Sequence, residues 1–171
     1  MQKREFKDIF QSYFHNKYSL EDFYSTKPED KLNVKLIVKD KQFSFSYIRE
    51  SQNSMKFKNY HTFLTNIIFN HLKVSNNVYS YKKNTTILQM LDLHKSSKYY
   101  FKTDIKGFFH HITKDMIKKC INQNIENLMI HNLDNMTIET ILDMVTYNDT
   151  LSVGFSSSPS ISNAILYEFD L

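Results

Sequence analysis

The chain has 171 residues, with 22 Lys and Arg against 18 Asp and Glu and a net charge of +4 at neutral pH. That length allows one or two domains and a genuine core, because a monomer of this size leaves roughly 8,900 Å² exposed of the roughly 30,000 Å² of its unfolded chain. No run approaches the roughly 18 apolar residues of a membrane span, no signal-peptide core follows Met1, and the lone Cys120 excludes an internal disulfide or a cysteine zinc site, so a cytoplasmic protein without a membrane partner is expected.

In chain order, Phe6, Ile9, Phe10, Tyr13 and Phe14 fall at helical spacing, and Ser19 opens a second short helix that stops near Pro28. Residues 33–48 change period, with Val34, Leu36 and Val38 and then Phe43, Phe45 and Tyr47 alternating with other residues. This predicts a basic β-hairpin turning near Asp40 and Lys41. From Met55 a helix returns, with Phe57, Tyr60, Leu64, Ile67, Ile68 and His71 on its core face. A polar, tyrosine-bearing connection leads to a short helix over residues 86–94, and residues 99–105 read as a strand. Thr113 is the expected N-cap of a helix carrying Ile117, Cys120 and Ile121, and Ile138, Ile141, Leu142 and Val145 define another. Ser158 and Pro159 have the N-cap and first-turn preferences of a last helix, with Ile161, Ile165 and Phe169 inward.

Glycine and proline are scarce, two of each, and Gly107, Gly154 and Pro159 all lie in two segments with chemical content. In the first, residues 99–112, Asp104 closes an apolar stretch and is followed by Lys106, Gly107, Phe108 and Phe109. A carboxylate there either faces solvent, the commoner fate of a single Asp, or holds a cation. A carboxylate fixed on a strand beside an aromatic is also what a metal-dependent nucleotidyl transferase needs. In the second, residues 151–170, Gly154 allows close backbone approach, and Ser156, Ser157 and Ser158 offer hydroxyls and helix-start amides to a phosphate. The plainer reading is a serine-rich loop capping a helix. Seven histidines show no paired metal spacing, and the neighbours His110 and His111 point apart on any regular element.

Taken together, the two segments resemble motifs A and B of reverse transcriptases, in particular the bacterial retron, group II intron and phage-defence lineages. Asp104-Ile105-Lys106-Gly107-Phe108-Phe109 resembles motif A, and residues 151–163, with Ser158-Pro159 and Asn163 in register, resemble motif B. Tyr81, Lys83, Thr86-Ile87 and His94 resemble the fingers segment before motif A. The likeness covers about residues 47–171.

The resemblance implies an α+β fold: right-hand polymerase fingers and a partial palm, helix-rich, with a β-hairpin and a short antiparallel palm sheet. It implies a helical extension over residues 1–30, fingers over 31–97 and an incomplete palm over 98–171, in which 113–147 is a helical insertion. Asp104 and the backbone carbonyl of Ile105 would bind two Mg²⁺ ions, with Mn²⁺ as a substitute. Phe109 would be the steric gate against a 2′-hydroxyl, and Lys106, Gly154 and Ser156 would face the nucleotide. Lys39, Lys41, Lys83, Ser158, Pro159 and Asn163 would meet template or primer. The implied partners are an RNA template, a DNA product and dNTPs, with a noncoding RNA, or a second polypeptide that carries the rest of the palm, as a further partner.

Three departures stand out. Ser152 and Val153 replace the Pro and polar residue usual in motif B, Ser46 stands where many relatives carry an arginine, and no Asp-Asp pair corresponding to motif C occurs. Two-metal chemistry needs more than one carboxylate, so the expectation is the N-terminal portion, or one half, of an RNA-directed DNA polymerase of bacterial, antiphage type. The alternative is a non-catalytic, reverse-transcriptase-derived module that binds RNA or protein. A mostly helical protein with accidental motifs is a third reading.

Overall fold

Burial of four apolar side chains along one stripe, Phe6, Ile9, Phe10 and Phe14, explains the first helix, α1 (Phe6–Phe14). The structure is a computed structural model that describes residues 3–26, 33–39, 42–48, 52–82 and 84–170, of which 33–39, 42–48 and 52–54 are described by their backbone alone. Helix α1 ends on His15 in the left-handed region at φ 50°, whose amide and that of Asn16 satisfy the last carbonyls. Ser19 caps α2 (Leu20–Ser25), its hydroxyl accepting from the Asp22 amide at 3.1 Å. Pro28 lies outside the described residues.

Strands β1 (Asn33–Lys39) and β2 (Gln42–Ile48) pair antiparallel from Asn33 opposite Ile48 to Lys39 opposite Gln42. The hairpin expected from the alternation is therefore present, while its turn at Asp40 and Lys41 lies outside the described residues. Helix α3 (Gln52–Ile67) follows and buries Phe57, Tyr60, His61, Phe63 and Leu64. The ring of Phe10 has the rings of Phe14, Phe23, Phe63 and Tyr60 at 4.8, 5.3, 5.3 and 5.9 Å, mostly edge-on, the arrangement that aromatic quadrupoles favour. The two N-terminal helices thus share one core with α3. Asp22 of α2 accepts from the Tyr60 hydroxyl at 3.2 Å and pairs with Lys56, which fixes α2 across α3. The helix ends four residues before His71, which is why His71 is exposed rather than on the core face.

Helix α4 (Ile87–His94) starts at a reciprocal cap between Thr86 and Gln89, yet none of its residues is buried. Residues 99–105 form no strand; the segment is irregular and exposed, with Tyr99 and Phe101 each 91% accessible. The physical reason is that a strand is stable only when its ladder groups are paired, and no described residue pairs with it. Among the described residues, the stretch from Ile87 to Ile105 exposes many apolar side chains, Leu88, Leu93, Tyr99 and Phe101 among them.

After Gly107 comes the short α5 (Phe108–His111), then α6 (Lys114–Gln123), capped by the Thr113 hydroxyl, which accepts from the Met116 amide at 3.3 Å. Asp134 caps α7 (Asn135–Val145), and β3 (Thr146–Tyr147) and β4 (Thr150–Leu151) make a tight antiparallel hairpin. Its two turn residues, Asn148 and Asp149, have φ of 50° and 58°, as a two-residue turn between right-twisting strands requires. The last helix, α8 (Ser158–Ile165), has Ser157 rather than Ser158 at its N-cap, and it ends before Phe169, which is 72% accessible instead of inward. The fold is α+β and helix-rich, with two small antiparallel sheets among the described residues. No helix among the described residues is long and apolar enough to cross a membrane.

Candidate active site

The two segments singled out by their residues meet in space through backbone hydrogen bonds. The Leu151 amide donates to the Ile112 carbonyl at 2.9 Å, the Lys114 amide donates to the Asp149 carbonyl at 3.0 Å, and Thr113 bridges Thr150 antiparallel. Residues 112–114 therefore run as a third line of chain along the β3–β4 hairpin. This seats Gly107 and α5 beside the start of the serine-rich loop.

Gly107 is the hinge of the first segment. Its φ of 64° lies in the left-handed region, where a side chain is strained, and its carbonyl accepts from the His110 amide at 2.9 Å and contacts His111 Nδ1 at 3.0 Å. Phe108 and Phe109 are half-buried against the core, their ring centroids 6.0 Å apart. On the other side of the hinge, Asp104, Ile105 and Lys106 are exposed. Asp104 has no hydrogen-bond or ion-pair partner among the described residues, and its carboxylate is open to solvent.

In the second segment the side chains divide. Gly154, at φ 97°, and Ser156 are exposed. Ser158 is 1% accessible, and its hydroxyl donates to the Ser152 carbonyl at 2.6 Å, so it holds the loop's shape. Pro159 stands in the first turn of α8, where its missing amide hydrogen costs nothing. Asn163 Nδ2 donates to the Ser80 carbonyl at 2.9 Å and so clips α8 to the connection after α3. Lys39 ends β1, and Lys41 and Lys83 lie outside the described residues.

Two features here were not read from the sequence. His61 Nδ1 and the Ser157 hydroxyl are 2.8 Å apart in the interior, and Phe155 packs on His61 and Phe57 with centroid distances of 4.6 and 5.4 Å. The replaced position Ser152 is also buried, and its hydroxyl has no hydrogen-bond partner among the described residues. A lone His on a core helix carries no sequence signal for such a contact; only the loop's third dimension reveals it.

Two other ionisable groups are set by their structural contacts. The Asp143 side chain bonds Lys114 and holds it above the usual lysine range, and burial pushes the Cys120 thiol up to about 11. Among the described residues no three His, Cys, Asp or Glu side chains gather as a metal-binding group. One exposed carboxylate does not hold two divalent ions, so the described residues do not by themselves make the two-metal site that the resemblance implies.

No protein-family model matches the chain. A curated relative is the retron Ec73 reverse transcriptase of Escherichia coli, which is 31% identical over 121 residues, covering 68% of this chain and 38% of the relative. The chain thus spans well under half the length of that relative. A distant, partial homologue of this protein is a retron reverse transcriptase.

Proposed function

We propose that this chain is the fingers and first part of the palm of an RNA-directed DNA polymerase. The observation that carries the reading is the pairing of Ile112 with Leu151, which joins the Asp104–Phe109 segment to the Thr150–Asn163 segment in one body. The partial similarity to a retron reverse transcriptase supports the same class. In this reading residues 1–30 are a helical extension, 31–97 the fingers and 98–171 the palm with its insertion at 113–147.

Asp104 contributes one carboxylate, with the Ile105 carbonyl beside it, toward magnesium, and further carboxylates must join it before two ions are held. Phe109 is the ring that excludes a ribose 2′-hydroxyl, and Lys106, Gly154 and Ser156 line the nucleotide. Lys39, Lys41, Lys83, Pro159 and Asn163 belong to the template and primer side, where the buried Ser158 acts only by holding the loop's shape. RNA template, DNA product and dNTPs are the partners, and a cytoplasmic antiphage role in a bacterium fits the lineage.

The exposure of Asp104 and the absence of a metal-binding group among the described residues favour a second reading, a non-catalytic module that binds RNA or protein. Primer extension on an RNA template by the intact protein separates the two. The polymerase reading expects dNTP incorporation that Asp104→Ala abolishes while RNA binding persists. Synthesis that survives Asp104→Ala overturns it, and RNA binding by the intact protein without synthesis selects the module.

A further inference from the structure

A cavity of about 650 Å³ opens between the end of α3, the turn that follows it, the Tyr81–Lys82 connection and the first turns of α8. Its size falls in the range of small-ligand sites. Its apolar floor includes Phe69 and Leu72, and among the described residues the lining contains one cation, Lys82, and no carboxylate. At its mouth Tyr81 is 71% accessible and has a φ of 56°, a backbone conformation that L side chains adopt only at a cost. An exposed aromatic held in such a conformation contributes nothing to the core. The Thr85 hydroxyl, bonded to the carbonyls of Lys82 and Tyr79 at 2.7 and 2.9 Å, and the clip from Asn163 to Ser80 hold this connection in place.

The amides around the cavity are only partly used. Asn70 Oδ1 accepts from the Ser160 hydroxyl at 3.2 Å, which leaves the Asn70 amide hydrogens to donate. Asn66 Nδ2 donates to the Tyr13 hydroxyl at 3.1 Å, which leaves its carbonyl oxygen to accept. Asn163 likewise keeps its side-chain carbonyl oxygen. A planar ring at the rim, paired donors and acceptors within, and a cation beside them match the three parts of a nucleotide: a stacking face, a hydrogen-bonding edge and a phosphate.

We propose that this cavity binds one unstacked nucleotide of a single-stranded nucleic acid, with Tyr81 stacking on the base, the side chains of Asn66, Asn70 and Asn163 reading its edge, and Lys82 meeting a phosphate. The proposal rests on the polymerase reading for its choice of a polynucleotide over a free nucleotide. Ribose and deoxyribose strands share this chemistry, so both serve as probes.

The test is fluorescence anisotropy of the chain with a labelled 12-nucleotide single-stranded RNA, its DNA counterpart, a fully paired RNA duplex and a nucleoside monophosphate. The expected result is that Tyr81→Ala weakens single-strand binding by about 5- to 150-fold, the range of one lost base–aromatic stack, whereas Tyr81→Phe stays within about twofold of wild type. Lys82→Gln should lower the salt slope by about 0.7, one phosphate contact on a single strand. The duplex should compete poorly, having no unstacked base. Tyr81→Ala binding as tightly as wild type overturns the proposal, as does tighter binding of the duplex than of the single strand. The monophosphate matching the oligonucleotide in affinity overturns the choice of a polynucleotide. Tyr81-dependent binding with no DNA synthesis by the intact protein that carries the remaining carboxylates defeats the polymerase reading alone, and DNA synthesis by that protein with Tyr81-independent binding defeats this one alone.

Discussion

Ile112 and Leu151 face each other across a 2.9 Å backbone hydrogen bond, and both side chains are fully buried. This one register joins the segment that carries Asp104 to the segment that carries the serine loop. Leu151→Ala would remove packing on both sides of the joint, and a buried leucine truncated to alanine costs about 2–5 kcal/mol. A urea titration should show a midpoint lowered accordingly. A change below about 0.5 kcal/mol would mean that the joint is not part of the core.

Asp104 is exposed and makes no described contact, so Asp104→Ala should leave stability within about 0.5 kcal/mol of wild type. Thermal and urea unfolding of the two proteins should coincide. A marked gain in stability on removing the charge would place the carboxylate in an unfavourable buried setting, contrary to the exposed geometry.

The Asn148–Asp149 turn makes opposite demands on small and branched residues. Both positions have positive φ, so Asp149→Gly should maintain or raise stability, by up to about 1 kcal/mol, while Asp149→Val should lower it by about 1–2 kcal/mol. Equal stability of the glycine and valine variants would rule out the left-handed turn.

The elements legible in the sequence were those set by local rules. The stripes Phe6–Ile9–Phe10 and Ile138–Ile141–Leu142–Val145 each announced a helix because helical geometry turns spacing into burial. Ser19 and Thr113 announced helix starts because a cap bonds its own first turn, whereas the Thr86 cap emerged only from the structure. Residues 99–105 were misread as a strand because β-propensity describes fit to a neighbouring strand, and none among the described residues is there. His71 and Phe169 were misread for another reason: periodicity does not say where a helix stops, and each lies beyond the end of its helix. In the candidate site, the turn at Gly107 and a serine-rich loop opening the last helix were legible, but Ser158, read as the N-cap, lies one residue inside the helix and is buried. The tight β3–β4 hairpin, the His61–Ser157 contact and the Tyr81 cavity were not, since two-residue strands carry no period and the others join residues far apart in the chain.

Helix α4 tests what a cap alone contributes, because it has no buried residue. The Gln89 amide donates to Thr86 Oγ1 at 3.2 Å, and the Thr86 amide donates to Gln89 Oε1 at 2.8 Å. Thr86→Ala breaks this reciprocal pair at a cost of about 0.5–2 kcal/mol to the helix. Amide exchange at Met90 to Leu93 should speed up by about 2- to 30-fold while the global urea midpoint stays in place. A shifted global midpoint would mean that α4 unfolds together with the core.

Cys120 gives the clearest pH dependence. Burial raises its thiol from 9.0 to about 11, so the native state keeps its proton where the unfolded chain has lost it. The stabilisation is complete below about pH 9 and disappears as the pH rises through about 11, amounting to on the order of 1 kcal/mol at pH 10. Tyr60, raised by burial, and Lys114, raised by its bond to Asp143, act in the same direction at higher pH, so the thiol's share is read by difference. Between pH 8 and 10, Cys120→Ala should lose less stability than wild type. Native Cys120 should also resist alkylation that proceeds readily in urea, because only a thiolate attacks and this thiol is buried and protonated. Parallel pH curves for the two proteins, or equal alkylation rates with and without urea, would show that the thiol is open to solvent.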